Sequence, residues 1–290
     1  WKYAGACLLS LVVFTPFCIA GMRGGFATAV RPITISNAMQ YTERPTDAPL
    51  VLNTPFSLLR TIDTNVFVVP NYFNSAEDME AVYTPVHTPS DSLQMDKKNV
   101  VILIVESFGR EYIGALNKTL EDGKYKGYTP CVDSLINKST TFTYSFCNGR
   151  KSIDGMPSIL SSIPMFVEPF ILTPSSMNDY TGLAGVLANE GYETAFFHGA
   201  QNGSMGFQAF AQKIGFQRYY GRTEYEESCG KDDFDGTWAI WDEPFLQYFA
   251  KEMSKMKQPF MTSVFTASSH HPFAVKLRSE ERRVGKECRS

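Results

Sequence analysis

The sequence predicts an α/β fold, a doubly wound and mostly parallel sheet with helices on both faces, preceded by a transmembrane helix. Three observations support this. Residues 3–22 are apolar and uncharged, β-prone runs alternate with helical stretches from Asn99 onward, and NVVILIV is continuously apolar after its first residue. A run of this kind is typical of a central parallel strand covered on both faces.

The amino-terminal stretch, YAGACLLSLVVFTPFCIAGM, is long enough to cross a hydrocarbon core of roughly 30 Å as a helix. Trp1 and Tyr3 on one side and Arg23 on the other resemble interfacial anchors. The alternatives are a secretory signal peptide and a buried helix, but no small-residue cleavage site is evident. We therefore expect a membrane helix over residues 1–23. Because the chain lacks an initiator Met, we expect it to begin inside a longer protein.

Residues 24–98 are rich in Pro, Thr, Asn and Asp, which predicts a connector that packs on the main domain, with a helix around Phe56–Thr61. Residues 99–277 form the predicted main domain. Its strands are expected at 100–105, 140–146, 192–197 and 259–267, and its helices near 129–138, 181–190, 207–214 and 244–256.

Residues 278–290, RSEERRVGKECRS, follow an apolar segment abruptly. A solvated tail is the ordinary meaning of such a charged run. The segment also resembles the conceptual translation of a sequencing-library adapter, so we interpret it as non-native and expect native sequence to end near Leu277.

The composition indicates a globular protein. Hydrophobic residues make up 43% of the 290 positions and aromatic residues 13%, which suffices for a packed core. The net charge of -3, without blocks of like charge, disfavours a nucleic-acid partner.

Three predicted strands end in residues that can bind a metal, a phosphate or a proton: Glu106, His198 and His270. Ligands of open α/β sheets collect at the carboxyl ends of the strands, so we expect a site at this edge. The alternatives are that Glu106 caps the following turn and that each histidine is structural.

Ser152 follows Arg150 and Lys151 and precedes an apolar helical run. A hydroxyl near a helix start, flanked by two cations, is suited to attack on phosphorus or sulfur, because N–H groups and positive charge stabilise anionic oxygens. The alternative is that Ser152 is only an N-cap. The chain has no G-x-S-x-G elbow, Walker A motif or GxGxxG, so serine-hydrolase and nucleotide-binding functions lack support.

Five segments, in order VESFGR, YTPCVDSL, GRKSIDGMPSIL, FFHGAQNGSMGF and KQPFMTSVFTASSHHPF, together resemble the lipoteichoic acid synthase and phosphoglycerol transferase branch of the alkaline phosphatase and sulfatase superfamily. The resemblance implies an alkaline phosphatase-like catalytic domain over residues 99–277. It implies that Glu106 is a metal ligand and that Ser152 is both a ligand and the nucleophile that carries the transferred group. It also implies substrate contacts for His198 and His270, and one divalent cation, Mn²⁺ or Mg²⁺.

Arg150 and Lys151 complete the expected substrate-binding set. Two departures from the family limit the resemblance. The segment GSMGFQ lacks the pocket Arg that follows HG in the synthases, which puts head-group recognition in doubt. The family's Asp–His metal pair lies beyond the HxPF motif, so we expect the domain to be incomplete and this fragment to be inactive.

We therefore expect a membrane-anchored phosphotransferase that moves a phosphoglycerol-type head group from phosphatidylglycerol or phosphatidylethanolamine to a glycan or lipid acceptor. The expected location is the bacterial cell membrane, with an extracytoplasmic, periplasmic catalytic domain. The alternatives are a phosphodiesterase or sulfuric-ester hydrolase of the same fold, although the C-x-P-S-R signature of sulfatases is absent, and a non-catalytic membrane-tethered binding domain.

Overall fold

The sheet has four parallel strands, in the order β1-β4-β2-β3. The computed structural model describes residues 1–23, 38, 41, 47–62, 71–84, 86, 88, 95–142, 144–146, 148–165, 168–271 and 273. The strands are β1 (Val100–Ile104), β2 (Glu193–His198), β3 (Arg218–Tyr220) and β4 (Phe260–Phe265). The parallel pairing confirms the predicted fold class.

Most of the helices follow or separate these strands. Before β1 lie α1 (Lys2–Arg23), α2 (Ala48–Val51), α3 (Thr54–Thr61) and α4 (Ala76–Val82). Between β1 and β2 lie α5 (Pro130–Ile136), α6 (Ser152–Ser161) and α7 (Leu183–Asn189). Further along the chain are α8 (Phe207–Lys213), α9 (Arg222–Cys229) and α10 (Asp242–Met253).

Helices cover both faces of the sheet because successive side chains of a strand point to opposite sides. Phe196 of β2 packs in a core cluster with residues of α6, α7 and α8. Its neighbour Phe197 packs in a second cluster with residues of α9 and α10. In β4, Met261 belongs to the first cluster and Val264 to the second. The predicted doubly wound arrangement is therefore confirmed.

The position of β1 differs from the prediction. Its apolar run predicts a central strand, but β1 lies at one edge and pairs only with β4 in the described part of the chain. Ile104 faces the first core cluster, whereas Val101 is 43% exposed and Leu103 59% exposed. The prediction was wrong because an apolar run reports what a strand is able to bury, not which neighbours pair with it.

Two further expectations were incomplete. No strand forms at the described positions of the β-prone run 140–146. Two elements were not predicted from the sequence: β3, which has only three residues, and α9, whose sequence RTEYEESC is strongly polar. Both elements depend on pairing and packing against β2 rather than on a local apolar pattern.

Helix α1 is long and apolar enough to cross a membrane, over Lys2–Gly21. A signal sequence near the amino terminus passes the same test. Most of its side chains are exposed in the structure, so α1 does not pack into the core of the domain. It also contains Pro16, which lacks the N–H needed for a helical hydrogen bond.

Parts of the predicted connector contact the main domain. Ala38 and Leu52 pack against Ala209 of α8, and Lys97 Nζ donates to the backbone oxygen of Glu190 at 2.6 Å. The domain boundaries themselves remain predictions. The segment 278–290, interpreted as non-native, lies outside the described residues.

Candidate functional site

The register of the sheet places three strand ends side by side. Ile104 of β1 lies opposite Phe265 of β4, and Phe265 lies opposite His198 of β2. The residues that follow these positions therefore emerge at one edge. Glu106 follows β1, His198 ends β2, and the turn containing His270 follows β4.

Glu106 is buried at this edge, with 6% of its surface exposed. Its backbone N–H donates to Thr266 Oγ1 at 2.9 Å, which ties the end of β1 to the end of β4. Oε1 accepts a hydrogen bond from Ser107 Oγ at 2.9 Å. Oε2 is buried and has no partner among the described residues. Buried carboxylate oxygens are normally satisfied, so this atom is available to a ligand.

Ser152 is the first residue of α6, and its side chain is half-buried. The N-cap position belongs to Lys151, so the structure does not support the alternative in which Ser152 is only the cap. Asp154 Oδ2 accepts the backbone N–H of Lys151 at 3.2 Å and fixes the start of the helix. Gly149, at φ +94°, lets the preceding loop pass close to the Asp154 side chain.

Helix α6 and strand β1 contribute to the same hydrophobic core, since Ile153 and Ile104 belong to one cluster of buried residues. Ser152 directly precedes Ile153 in the sequence, and Glu106 lies two residues after Ile104. In the described part of the chain, no hydrogen bond joins the side chains of Ser152 and Glu106. Arg150, like Lys151, is exposed just before the helix.

His198 is fully buried at the end of β2. Its Nδ1 lies 3.0 Å from the backbone oxygen of Phe265, and because a carbonyl only accepts, Nδ1 carries the proton. Nε2 is then an acceptor, and it has no partner among the described residues. Burial lowers the pKa of His198 to about 4, against a smaller opposing effect of the Phe265 hydrogen bond. The ring is therefore neutral at physiological pH.

Trp238 connects the two predicted histidines. Its ring centroid lies 5.3 Å from that of His198 and 4.7 Å from that of His270. Trp238 Nε1 donates to Ser204 Oγ at 3.3 Å, which anchors the indole. His270 is half-buried and lines a small cleft with Trp238 and Asp235. The structure thus brings His198 and His270 together, but it places His198 beneath the surface rather than in the cleft.

Sequence reasoning missed Trp238, Thr266 and Asp242. Asp242 begins α10, and its carboxylate accepts backbone N–H groups from the turn after β4. The order Trp-Asp-Glu-Pro before an apolar stretch is typical of a helix start and indicated such a residue. The signals for the other two were weaker, since each acts through contacts with distant segments.

The donors at this edge suit a hard cation only in part. Glu106 Oε2 and the Ser152 hydroxyl are oxygen ligands of the kind that Mn²⁺ and Mg²⁺ prefer. Among the described residues, no group of three or more His, Cys, Asp or Glu side chains is arranged to hold a metal ion.

A family model described as Sulfatase matches residues 98–289. The match covers the sheet and every predicted site residue, and it also overlaps the segment interpreted as non-native. This model therefore extends over most of the chain.

Curated relatives include the lipoteichoic acid synthase-like YvgJ of Bacillus subtilis, 22% identical over 76% of this chain and 36% of that protein. Lipoteichoic acid synthase 1 of the same organism is 25% identical over 69% of this chain and 32% of that protein. The chain thus spans about a third of the length of these relatives. A solved structure from Vibrio parahaemolyticus, a protein in the alkaline phosphatase superfamily, aligns with a TM-score of 0.54 and 25% identity, over 66% of this chain and 46% of that one.

Proposed function

Because the chain belongs to the sulfatase family, with distant similarity to lipoteichoic acid synthases over part of its length, we propose that it is a phosphotransferase. It is membrane-anchored and metal-dependent, and it moves a phosphoglycerol-type lipid head group through a covalent intermediate on Ser152. The observation that best supports this proposal is the carboxylate of Glu106 at the strand edge, whose buried Oε2 has no partner among the described residues.

Ser152 has the surroundings that a nucleophile for phosphorus needs. It lies at the amino-terminal end of the ten-residue helix α6, where the helix dipole and free N–H groups favour an anion. The exposed Arg150 and Lys151 add positive charge on the same side. These groups attract a lipid phosphate and stabilise the charge that develops on its oxygens.

The proposed reaction has two displacements. Ser152 Oγ attacks the head-group phosphorus, a new Oγ–P bond forms, and the P–O bond to diacylglycerol breaks. The proton lost by the serine is balanced by the one that the diacylglycerol oxygen takes up. An acceptor hydroxyl then attacks the phosphoserine, loses its proton, and releases Ser152 with its proton restored.

Members of the superfamily typically bind a divalent metal. The buried Oε2 of Glu106, which has no partner among the described residues, fits such an ion, and we propose Glu106 and Ser152 as two ligands of Mn²⁺ or Mg²⁺. When bound, the ion lowers the pKa of the hydroxyl and offsets charge on the phosphoryl oxygens. The Asp–His pair that the resemblance implies has no counterpart among the described residues.

The two histidines have different proposed roles. His270 lines the cleft and is placed to contact head-group oxygens. His198 is buried beside Trp238 and presents a neutral Nε2 acceptor, which suits a hydroxyl donor. This arrangement favours a polyol head group that is able to donate hydrogen bonds.

The proposed location at a membrane rests on helix α1. The homologues are membrane enzymes with extracytoplasmic domains, and α1 is long enough to anchor this domain in the same way. We propose that the protein lies in a bacterial cell membrane with its α/β domain in the periplasm. Phosphatidylglycerol or phosphatidylethanolamine is the proposed donor, and a glycan or lipid is the acceptor.

Incubation of the full-length native protein with head-group-labelled phosphatidylglycerol, Mn²⁺ and a crude acceptor fraction tests the proposal. We expect label in an acceptor product, and loss of that product with a chelator or with Ser152→Ala. Release of free glycerol phosphate without any acceptor product would identify a phosphodiesterase and rule out the transferase.

A further inference from the structure

The carboxylate of Asp242 joins the start of α10 to the turn that follows β4. Oδ1 accepts the backbone N–H of Ala267 at 2.7 Å, and Oδ2 accepts that of Ser268 at 3.0 Å. Ser268 Oγ returns the contact by accepting the backbone N–H of Asp242 at 2.8 Å. Three hydrogen bonds therefore connect segments that are about 25 residues apart in the sequence.

This turn carries two parts of the candidate site. The backbone N–H of His270 donates to the oxygen of Ala267 at 3.0 Å, so the position of His270 depends on that of Ala267. Thr266, the preceding residue, accepts the backbone N–H of Glu106. The turn thus connects the segment that binds the Glu106 backbone to the histidine whose ring lies against Trp238.

Asp242 is suited to hold the turn rather than to bind a ligand. Both of its oxygens accept hydrogen bonds from backbone N–H groups of the turn, which fixes the orientation of the carboxylate. Burial raises its pKa, and the nearby charge of Glu106 adds to this, while the hydrogen bonds from Ala267 and Ser268 oppose both effects. Removal of either partner leaves a partly buried carboxylate oxygen without a hydrogen bond, which lowers the free energy of unfolding.

We infer that Asp242 is a positioning residue, which fixes the turn after β4 and thereby holds His270 against Trp238 at the strand edge. The consequence for catalysis rests on the proposed function. The predicted effect on the position of His270 is independent of the proposed function, and it is measurable on the chain without substrate.

The geometric test uses ¹⁹F NMR of the chain labelled with 5-fluorotryptophan, with the Trp238 signal assigned by Trp238→Phe. Asp242→Asn leaves one side-chain oxygen for two N–H donors, so one of them loses its acceptor. We expect the Trp238 signal to move towards its position in His270→Ala, because the imidazole no longer lies against the indole. Circular dichroism verifies that each variant is folded.

A matched control makes the same charge change at the other end of α10. Glu252 pairs with Lys255 at 2.7 Å, so Glu252→Gln should leave the Trp238 signal unchanged. A second pair of variants tests the contact from the turn. Ser268→Ala removes the acceptor of the Asp242 N–H and should shift the signal, whereas Ser268→Thr keeps it. An unchanged Trp238 signal in both Asp242→Asn and Ser268→Ala would overturn the inference.

The catalytic test uses the full-length native protein and the labelled lipid. We expect Asp242→Asn to lower kcat/KM by about 10- to 100-fold, since misplacement of a substrate-contacting group has effects of this order. Ser268→Thr and Glu252→Gln should keep the parental value. A parental kcat/KM in Asp242→Asn would contradict the positioning role. An inactive parent would count against the proposed function, and the NMR result would then decide this inference alone.

Discussion

Two buried polar atoms at the strand edge have no partner among the described residues: Glu106 Oε2 and His198 Nε2. Leaving such an atom unpaired costs on the order of 1–3 kcal/mol, so natural proteins rarely do it without a reason. Both atoms are acceptors. The edge is therefore suited to a cation at Glu106 and to a hydroxyl donor at His198, which are the roles proposed for these residues above.

The neutral state of His198 predicts a dependence of stability on pH. The pKa of this imidazole is about 4 in the folded protein and 6.5 in the unfolded chain. Between these values the unfolded chain binds a proton that the native state does not, so stability falls as the pH falls from 6.5 to 4. This difference in pKa corresponds to roughly 3 kcal/mol of unfolding free energy.

His198→Phe should remove this dependence while keeping the aromatic contacts to Phe207 and Phe265. The measurement is the free energy of unfolding in denaturant at several pH values between 4 and 7. His271→Phe, at an exposed position, serves as the control and should keep the parental slope. If the stability of the His198→Phe variant falls as steeply as that of the parent, other groups cause the loss.

At the scale of elements, β1 positions Glu106, which follows the strand by two residues. The strand itself lies at the edge of the sheet. On one of its faces Ile104 belongs to the same core cluster as residues of α6, while Leu103 on the other face is exposed. The strand is held mainly by β4, whose register with β1 extends over five pairs of residues. The position of Glu106 therefore depends on the pairing of β1 with β4.

Substitutions on the two faces of β1 should differ in their effect on stability. Ile104→Ala removes a buried side chain from the core and should cost about 2–4 kcal/mol of unfolding free energy. Leu103→Ala, at an exposed position, should cost less than about 1 kcal/mol. Denaturant unfolding of both variants in detergent measures the difference. Equal and large costs would mean that β1 is covered on both faces.

Much of the fold was predictable from local patterns. The apolar runs of β2 and β4 and the helix stop at Gly191 are encoded within a few residues, and the structure confirms them. The edge position of β1 was not predictable from local patterns, since it depends on which strands pair. The same holds for the site. Strand ends indicated Glu106 and His198, whereas Asp242 acts through hydrogen bonds to residues 25 or more positions away.

At the scale of the whole molecule, the helix α1 and the α/β domain have separate tasks in the proposed function. An anchored domain meets a lipid head group at the membrane surface, where both are confined to the same layer. The exposed Arg150 and Lys151 precede α6 and add attraction for phosphate. The α/β domain belongs to the sulfatase family, and the chain spans about a third of the length of the curated relatives named above.

Trapping the covalent intermediate is the decisive experiment for the proposal that Ser152 carries the transferred group. The full-length native protein is incubated with phosphatidylglycerol and Mn²⁺, quenched in acid, digested and analysed by mass spectrometry. We predict one phosphoglycerol group on the peptide that contains Ser152. It should be absent in Ser152→Ala and retained in Ser158→Ala, which changes another serine of the same helix. Acceptor product formed at the parental rate by Ser152→Ala, or the group found on another residue, would contradict the claim.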